Sequence, residues 1–259
     1  MRRVLPALSV ASSVAYLIAP KTAQNKAVVP PNQNIRAELD KFRHREAETR
    51  KKWIQDEEGF HKLPPRAWPP NQPTADKLQL LKQSMDGLDC PRDLSTPLNT
   101  KCAKAAFDLA TCLTFTGQDA PAGLERYRSL AIQGMDDAMT AVGVVLLEGI
   151  GGVPSDEEEG VRWLRKASSL GNAQAFYELG VLEYMEGSSS LAFDYFSRAA
   201  LSKHTSALYM VADCLFTGYG CEVDCGRAIP FLISAADQGH RLARAVLLEL
   251  LDEDKDWEG

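Results

Sequence analysis

The sequence predicts an all-α fold of stacked helix pairs, a solenoid, and three observations point to it. A twelve- or thirteen-residue apolar segment recurs four times, each copy opening on alanine and closing on glycine, at the spacing of helical repeats. Apolar residues within the copies keep the 3.6-residue helical period, so no sheet is expected. The chain of 259 residues is 45% hydrophobic and 25% charged, which excludes wholesale disorder and a multi-span membrane protein. A net charge of −6 excludes a general nucleic-acid binder, because phosphate contact needs a basic surface.

From the N-terminus, the first acidic residue is Glu38, and Arg2, Arg3, Lys21, Lys26 and Arg36 precede it, with Ser9, Ser12 and Ser13 among them. A basic, serine-containing, acid-free start has the character of an organelle presequence. Residues 4–20 form a 17-residue uncharged apolar run, short for a membrane span of roughly 20 residues. Residues 1–27 are therefore read as a mitochondrial presequence or a single membrane anchor, with plastid or secretory targeting as alternatives. Membrane contact, where it occurs, is expected through residues 4–20.

Residues 28–73 are read as a charged helix followed by a strap. Residues 36–58 hold 14 charges of mixed sign in 23 positions, and Glu46 with Arg50 and Glu48 with Lys52 are i,i+4 pairs. The apolar stripe is thin: Ile35, Leu39 and Phe42, then Trp53 and Ile54. Such a helix gains little from its own core, so it is expected to be solvated or to lie across a partner. Five prolines within residues 61–73 favour a semi-rigid polyproline strap. Residues 74–101 read as a short helix from Thr74 to about Leu88 and a loop. Residues 102–251 are the repeat domain, and 252–259 an acidic tail.

The repeats are AFDLATCLTFTG from Ala106, AMTAVGVVLLEG from Ala138, AFYELGVLEYMEG from Ala175 and ALYMVADCLFTG from Ala207, with a truncated fifth copy at Ala243. The alanines are 32, 37, 32 and 36 residues apart. A second helix follows each glycine: GLERYRSLA, EEGVRWLRKAS, LAFDYFSRAA and GRAIPFLISAA. About nine helices are expected. Ala138, Gly143, Ala175, Gly180, Ala207 and Ala212 are small, so one helix can cross its neighbour closely, while Trp163, Tyr195, Phe196 and Phe231 fill the space between layers. Gly134, Gly171 and Gly239 suit the left-handed residue that ends a helix. Lys203 stands at the fourth such position, where a looser turn is expected. Asp156 with Glu159 has the capping-box spacing, and Asp224 can cap the equivalent helix.

The stretch GYGCEVDCGRAIPFLISAADQGH from Gly218 resembles a Sel1-like repeat, the longer-looped relative of the tetratricopeptide repeat. GIGGVPSD from Gly149, running on to Gly171 and Asn172, resembles a second copy. The copies at Ala106 and Ala175 lack the long glycine loop and lean toward the tetratricopeptide type. The resemblance spans roughly residues 102–251. It implies a right-handed superhelix of antiparallel helix pairs that binds protein segments or scaffolds a complex, and it does not imply an activity. By analogy with tetratricopeptide grooves, the first helices line the concave face, which makes Thr140, Val144, Tyr177, Val181, Tyr209, Asp213 and Phe216 the candidate partner-binding residues.

Chemistry beyond binding finds little support. Gly149-Ile-Gly-Gly-Val precedes no Gly-Lys-Ser/Thr, so it is a repeat loop rather than a phosphate cradle. His204 and His240 hold the same repeat position, which the pattern itself explains. Cys214, Cys221 and Cys225 lie on one hairpin and offer a disulfide, three of four zinc ligands or buried apolar thiols. No fourth ligand is evident, so no metal and no cofactor are expected. Cys90, Cys102 and Cys112 form another set where the repeats meet the extension. In repeat type the chain also resembles disulfide-linked Sel1-like assembly factors of the mitochondrial intermembrane space.

The function expected is that of a non-enzymatic scaffold for other proteins. It would be an accessory subunit or assembly factor of a mitochondrial membrane complex, at the inner membrane or in the intermembrane space. The alternative is a redox-active assembly factor using Cys214, Cys221 and Cys225. A hydrolase, as in some bacterial Sel1-like proteins, is the third.

Overall fold

The computed structural model describes residues 37, 41–42, 44–45, 79–81, 83, 100–116 and 119–253. The presequence or anchor, the proline strap, residues 90–99 and most of the acidic tail lie outside them. Among the described residues there is no strand, and nine α-helices follow residue 99. These are α1 (Thr100–Phe115), α2 (Ala120–Ile132), α3 (Asp136–Glu148), α4 (Glu157–Ser169), α5 (Ala173–Glu186), α6 (Ser189–Leu201), α7 (Thr205–Thr217), α8 (Cys225–Asp237) and α9 (Arg241–Glu253). A 3-10 turn, Ile150–Gly152, interrupts the loop before α4. Residues 79–81 and 83 are helical, within the short helix expected there. No helix of the described residues is long and apolar enough to cross a membrane.

The chain divides into two compact units, whose described parts are residues 79–83 with 100–179, and residues 37–45 with 180–253. In the first, α1 packs on α2, α2 on α3 and α3 on α4. Ala106, Ala138 and Ala175 are all wholly buried, as the alanine register requires. Glycine makes the crossings close. A Cβ on Gly123 would strike the Thr114 hydroxyl, and one on Gly143 would lie 2.7 Å from Leu164 Cγ. Across the α2–α4 junction the Arg128 guanidinium holds both oxygens of Glu159, at 3.2 and 3.0 Å. The half-buried Trp163 donates its indole N–H to the same carboxylate, and Lys166 lies 4.4 Å from the centre of its ring.

In the second unit α6 packs on α7, α7 on α8 and α8 on α9. Phe196 is the aromatic that fills this core: it is fully buried and tilts against the Tyr184 ring at 6.4 Å. Tyr195 and Phe231, expected to share the role, are half-buried. The loop after α7 folds back so that Tyr219 meets Tyr184 at 4.6 Å and donates its hydroxyl to the Tyr184 carbonyl at 3.1 Å. Two described residues of the extension belong to this unit's packing. Phe42 is 1% exposed, and Arg45 pairs with Asp237 at 3.0 Å. The extension was expected to be solvated or to bind a neighbour rather than fold back completely; of its described residues, Phe42 and Arg45 fold back. A single aromatic supplies the burial that the charge count concealed.

Second-to-first helix turns all have three residues and close the same way. The N–H of Met135, Asn172, His204 and His240 each donates to the carbonyl five residues earlier, at 2.9–3.2 Å, the signature of a left-handed helix end. Lys203 takes part like the glycines, at φ 59°, and its N–H reaches the Ala200 carbonyl at 2.8 Å. The turn is therefore not looser than its siblings; the local hydrogen bonds impose the conformation and the side chain accepts the strain. Lys203→Gly should stabilise the protein by about 1 kcal/mol. Chemical denaturation of the two proteins side by side checks this, and a loss of stability would contradict it.

Candidate protein-interaction surface

The expected partner face lies on α3, α5 and α7, and burial separates its members. On α3 every residue from 138 to 146 is buried. Thr140 is 2% exposed and donates its hydroxyl to the Asp136 carbonyl at 3.0 Å; Val144 is 7% exposed. Val181 on α5 is buried as well. On α7 every residue from 207 to 215 is buried, Tyr209 and Asp213 included. Tyr209 stacks on the His240 imidazole, ring centres 4.7 Å apart and planes 20° apart. Of the seven residues only Tyr177 and Phe216 are half-buried.

Next to Tyr177 on α5 stands Glu178. Burial pushes the Glu178 carboxyl up to about 7; the hydrogen bond from Gln174 opposes that shift, and the charge of Glu148 adds to it. In the second unit burial pushes the Tyr184 phenol up to about 12, helped by the charge of Asp213. Burial is the leading cause of both shifts.

The three cysteines of the α7–α8 hairpin are thiols. Cys214 is buried, and the Cys221 thiol donates to the Cys214 carbonyl at 3.4 Å, so no disulfide joins them. Burial pushes the thiols of Cys214, Cys221 and Cys225 up from their ordinary value. A thiol held protonated is a poor nucleophile and a poor metal ligand. Of the other set, Cys102 is disulfide-bonded and Cys112 is a buried thiol, while Cys90 lies outside the described residues. Among the described residues no cluster of His, Cys, Asp and Glu has the arrangement to hold a metal ion.

The histidines have a different task, one that motif reasoning missed. His204 Nδ1 accepts the Ala207 N–H at 3.2 Å, and His240 Nδ1 accepts the Ala243 N–H at 3.2 Å. Each is the N-cap of the following helix, with its ring hydrogen on Nε2. Asn172, at the same repeat position, caps α5 through the Ala175 N–H at 3.0 Å. It also donates to Asp136 at 3.0 Å and Asp137 at 2.9 Å, tying one turn to the preceding one. The signal was present in the sequence: the residue after the turn position is Asn, His and His in three consecutive repeats, and each can accept a hydrogen bond. Asp156 and Asp224 cap α4 and α8 as their positions predicted, accepting from Glu159 and Arg227, both at 2.9 Å.

Comparison with known proteins follows the same boundaries. A model of the Sel1 repeat matches residues 136–172, 173–204 and 205–240, which end on the three capping residues. The α1–α2 pair precedes the matched stretch. Chitin synthase regulatory factor 1 of Schizosaccharomyces pombe is 31% identical over 120 residues, 44% of this chain and 26% of that protein. Among solved structures, a Sel1 repeat protein from Oxalobacter formigenes superposes with a TM-score of 0.50 at 26% identity, covering 67% of this chain and 48% of its own. A protective antigen present in uropathogenic Escherichia coli strains, displaying an SLR fold, has a TM-score of 0.54 at 24% identity, over 70% of this chain and 37% of its own. The chain thus spans less than half the length of each of these proteins. Residues 136–240 are three consecutive Sel1 repeats, and the fold they build is the all-α solenoid of that repeat.

Proposed function

We propose that the chain is a non-enzymatic interaction scaffold that serves as an accessory subunit or assembly factor of an organellar membrane complex, most concretely a mitochondrial one. The observation that supports the scaffold is the run of three Sel1 repeats, an architecture of exposed helix surfaces that presents protein-binding faces. The fungal relative is by name a regulatory factor for another protein, which agrees with a role exerted through a partner. The acid-free basic residues of 1–27 support the organelle. Within the partner face, Tyr177 and Phe216 are the residues with surface to offer, whereas Thr140, Val144, Val181, Tyr209 and Asp213 hold the helices together.

The test is capture of the full chain from isolated organelle membranes, with the captured proteins identified by mass spectrometry. Wild type should co-purify with subunits of one membrane complex. Tyr177→Asp and Phe216→Asp should each reduce the yield of those subunits at least severalfold while the thermal midpoint stays within a few degrees. Removal of residues 1–27 should abolish the organellar location. A chain that lies wholly outside organelles, or that captures the same proteins in both aspartate variants, would overturn the reading.

A further inference from the structure

The loop after α7 closes onto the α5–α6 connection. Tyr219 lies against the Tyr184 ring at 4.6 Å and donates its hydroxyl to the Tyr184 carbonyl at 3.1 Å. A Cβ on Gly220 would strike the Ser189 carbonyl oxygen, and one on Gly218 would lie 2.9 Å from Val223 Cγ2. The end of α5, the start of α6 and the loop before α8 therefore form one edge of the second unit. Three aliphatic side chains are open to solvent on it: Met185 at 48% exposure, Leu191 at 53% and Val223 at 57%.

The repeat does not require two of them. Val223 directly precedes the cap Asp224, a place that Ser155 takes before the cap Asp156. Leu191 is the third residue of α6, where α4 has Glu159 and α8 has Arg227. Exposed apolar residues gathered at one place inside a polar rim mark a contact surface.

Charge selects the partner. Along the same edge Glu186 and Glu222 are exposed and Glu183 and Asp224 half-buried, whereas Arg227 is the one cation in residues 183–191 and 218–227. Such a rim attracts a basic partner and repels an anionic lipid surface. Among the described residues there is no strand, so an extended chain finds no sheet edge to join. A segment bound here has to satisfy its own backbone, as a helix does.

We infer that this edge is a docking site for a basic amphipathic helix of a partner protein. Its apolar stripe would rest on Met185, Leu191 and Val223, with its lysines or arginines toward Glu186 and Glu222. The site uses neither Tyr177 nor Phe216. It rests on the scaffold reading and adds to it a second contact and a class of partner.

The experiment uses the full chain and a fluorescein-labelled helical peptide with leucine at i, i+3, i+4 and i+7 and lysine elsewhere, followed by anisotropy. A twin peptide carries glutamate in place of each lysine. The lysine peptide should bind and the glutamate twin should not. Leu191→Ser with Val223→Ser, which leaves charge unchanged, should weaken binding by about tenfold or more, as should Glu186→Lys with Glu222→Lys. The matched changes at other exposed sites, Ile132→Ser with Leu170→Ser and Glu157→Lys with Glu158→Lys, should leave binding unchanged. Equal binding of the two peptides, no binding of the lysine peptide, or equal losses in edge and matched variants overturns the inference. Sedimentation with phosphatidylserine vesicles that Leu191→Ser with Val223→Ser abolishes would assign the edge to a membrane and overturn it as well. Failure here with capture of membrane subunits intact removes only this docking edge; failure of capture removes the scaffold reading instead.

Discussion

Gly180→Leu should lower stability by about 3 kcal/mol, visible as a fall of roughly 6–12 °C in the thermal midpoint for a repeat domain of this size. The cause is specific. A Cβ at this position would sit 2.7 Å from both Cδ1 and Cε1 of Phe196, well inside the ~3.5–4.0 Å at which carbon atoms pack. Phe196 is fully buried, with the Tyr184 ring tilted against it, so moving its ring must disturb its neighbours. Leucine adds three further carbons along the same line. Ala207→Leu, at a wholly buried position, should cost about 1–3 kcal/mol for the same reason. Gly180→Ala is the graded control: its helix-propensity gain of about 1 kcal/mol offsets much of the smaller clash. Unchanged midpoints in both leucine variants would show that α5–α6 and the α7 core do not cross as closely as described.

The second large effect is on pH. His204 caps α7 with an unprotonated Nδ1, and burial lowers its pKa from 6.5 to about 4. Between those values the unfolded chain binds a proton that the folded chain refuses, so stability rises with pH in that window. The contribution is complete above about pH 6.5 and is lost as pH falls toward 4; below 4 both states are protonated and nothing more is lost. At 1.36 kcal/mol per unit the ceiling is about 3 kcal/mol, and partial exposure of the ring brings the expectation to about 2 kcal/mol. His204→Asn isolates the effect, because asparagine already caps α5 at the equivalent position and does not titrate. Urea midpoints should fall more steeply from pH 7 to 4 for wild type than for His204→Asn. Parallel slopes would mean that the imidazole is not a cap whose proton matters.

What was legible in the sequence was the part governed by short-range rules. The alanine register placed the five first helices because small residues must recur wherever helices cross, the segments after each glycine placed the four second ones, and Asp156 and Asp224 announced their helix starts by position. The partner face was less legible because exposure depends on what lies over a helix. Even so, VGVVLL in α3 and LYMVADCL in α7 are apolar almost all round, which is the pattern of a fully covered helix. Reading only the residues one turn apart on a groove face passed over it. Lys203 misled for a different cause: residue preference suggests a loose turn, whereas two backbone hydrogen bonds decide the geometry. Phe42 was visible in a thin apolar stripe, but its burial was not, because fourteen charges around it favour a solvated helix and the sequence does not show what a lone aromatic meets.

The turns and loops also bear on how such a chain changes over generations. At one end of the helix pairs the connection is always three residues, locked by backbone hydrogen bonds and, in three of the four, by a side-chain cap. At the other end it varies: two residues before α6, seven before α8 and eight before α4. Gly152, in the longest of these, points toward open space, whereas a Cβ on its neighbour Gly151 would strike Ala120. Insertions and deletions are thus admitted along one edge and refused along the other. An epitope inserted next to Gly152, with the glycine itself kept because its φ is 81°, should leave the phase of the repeats undisturbed.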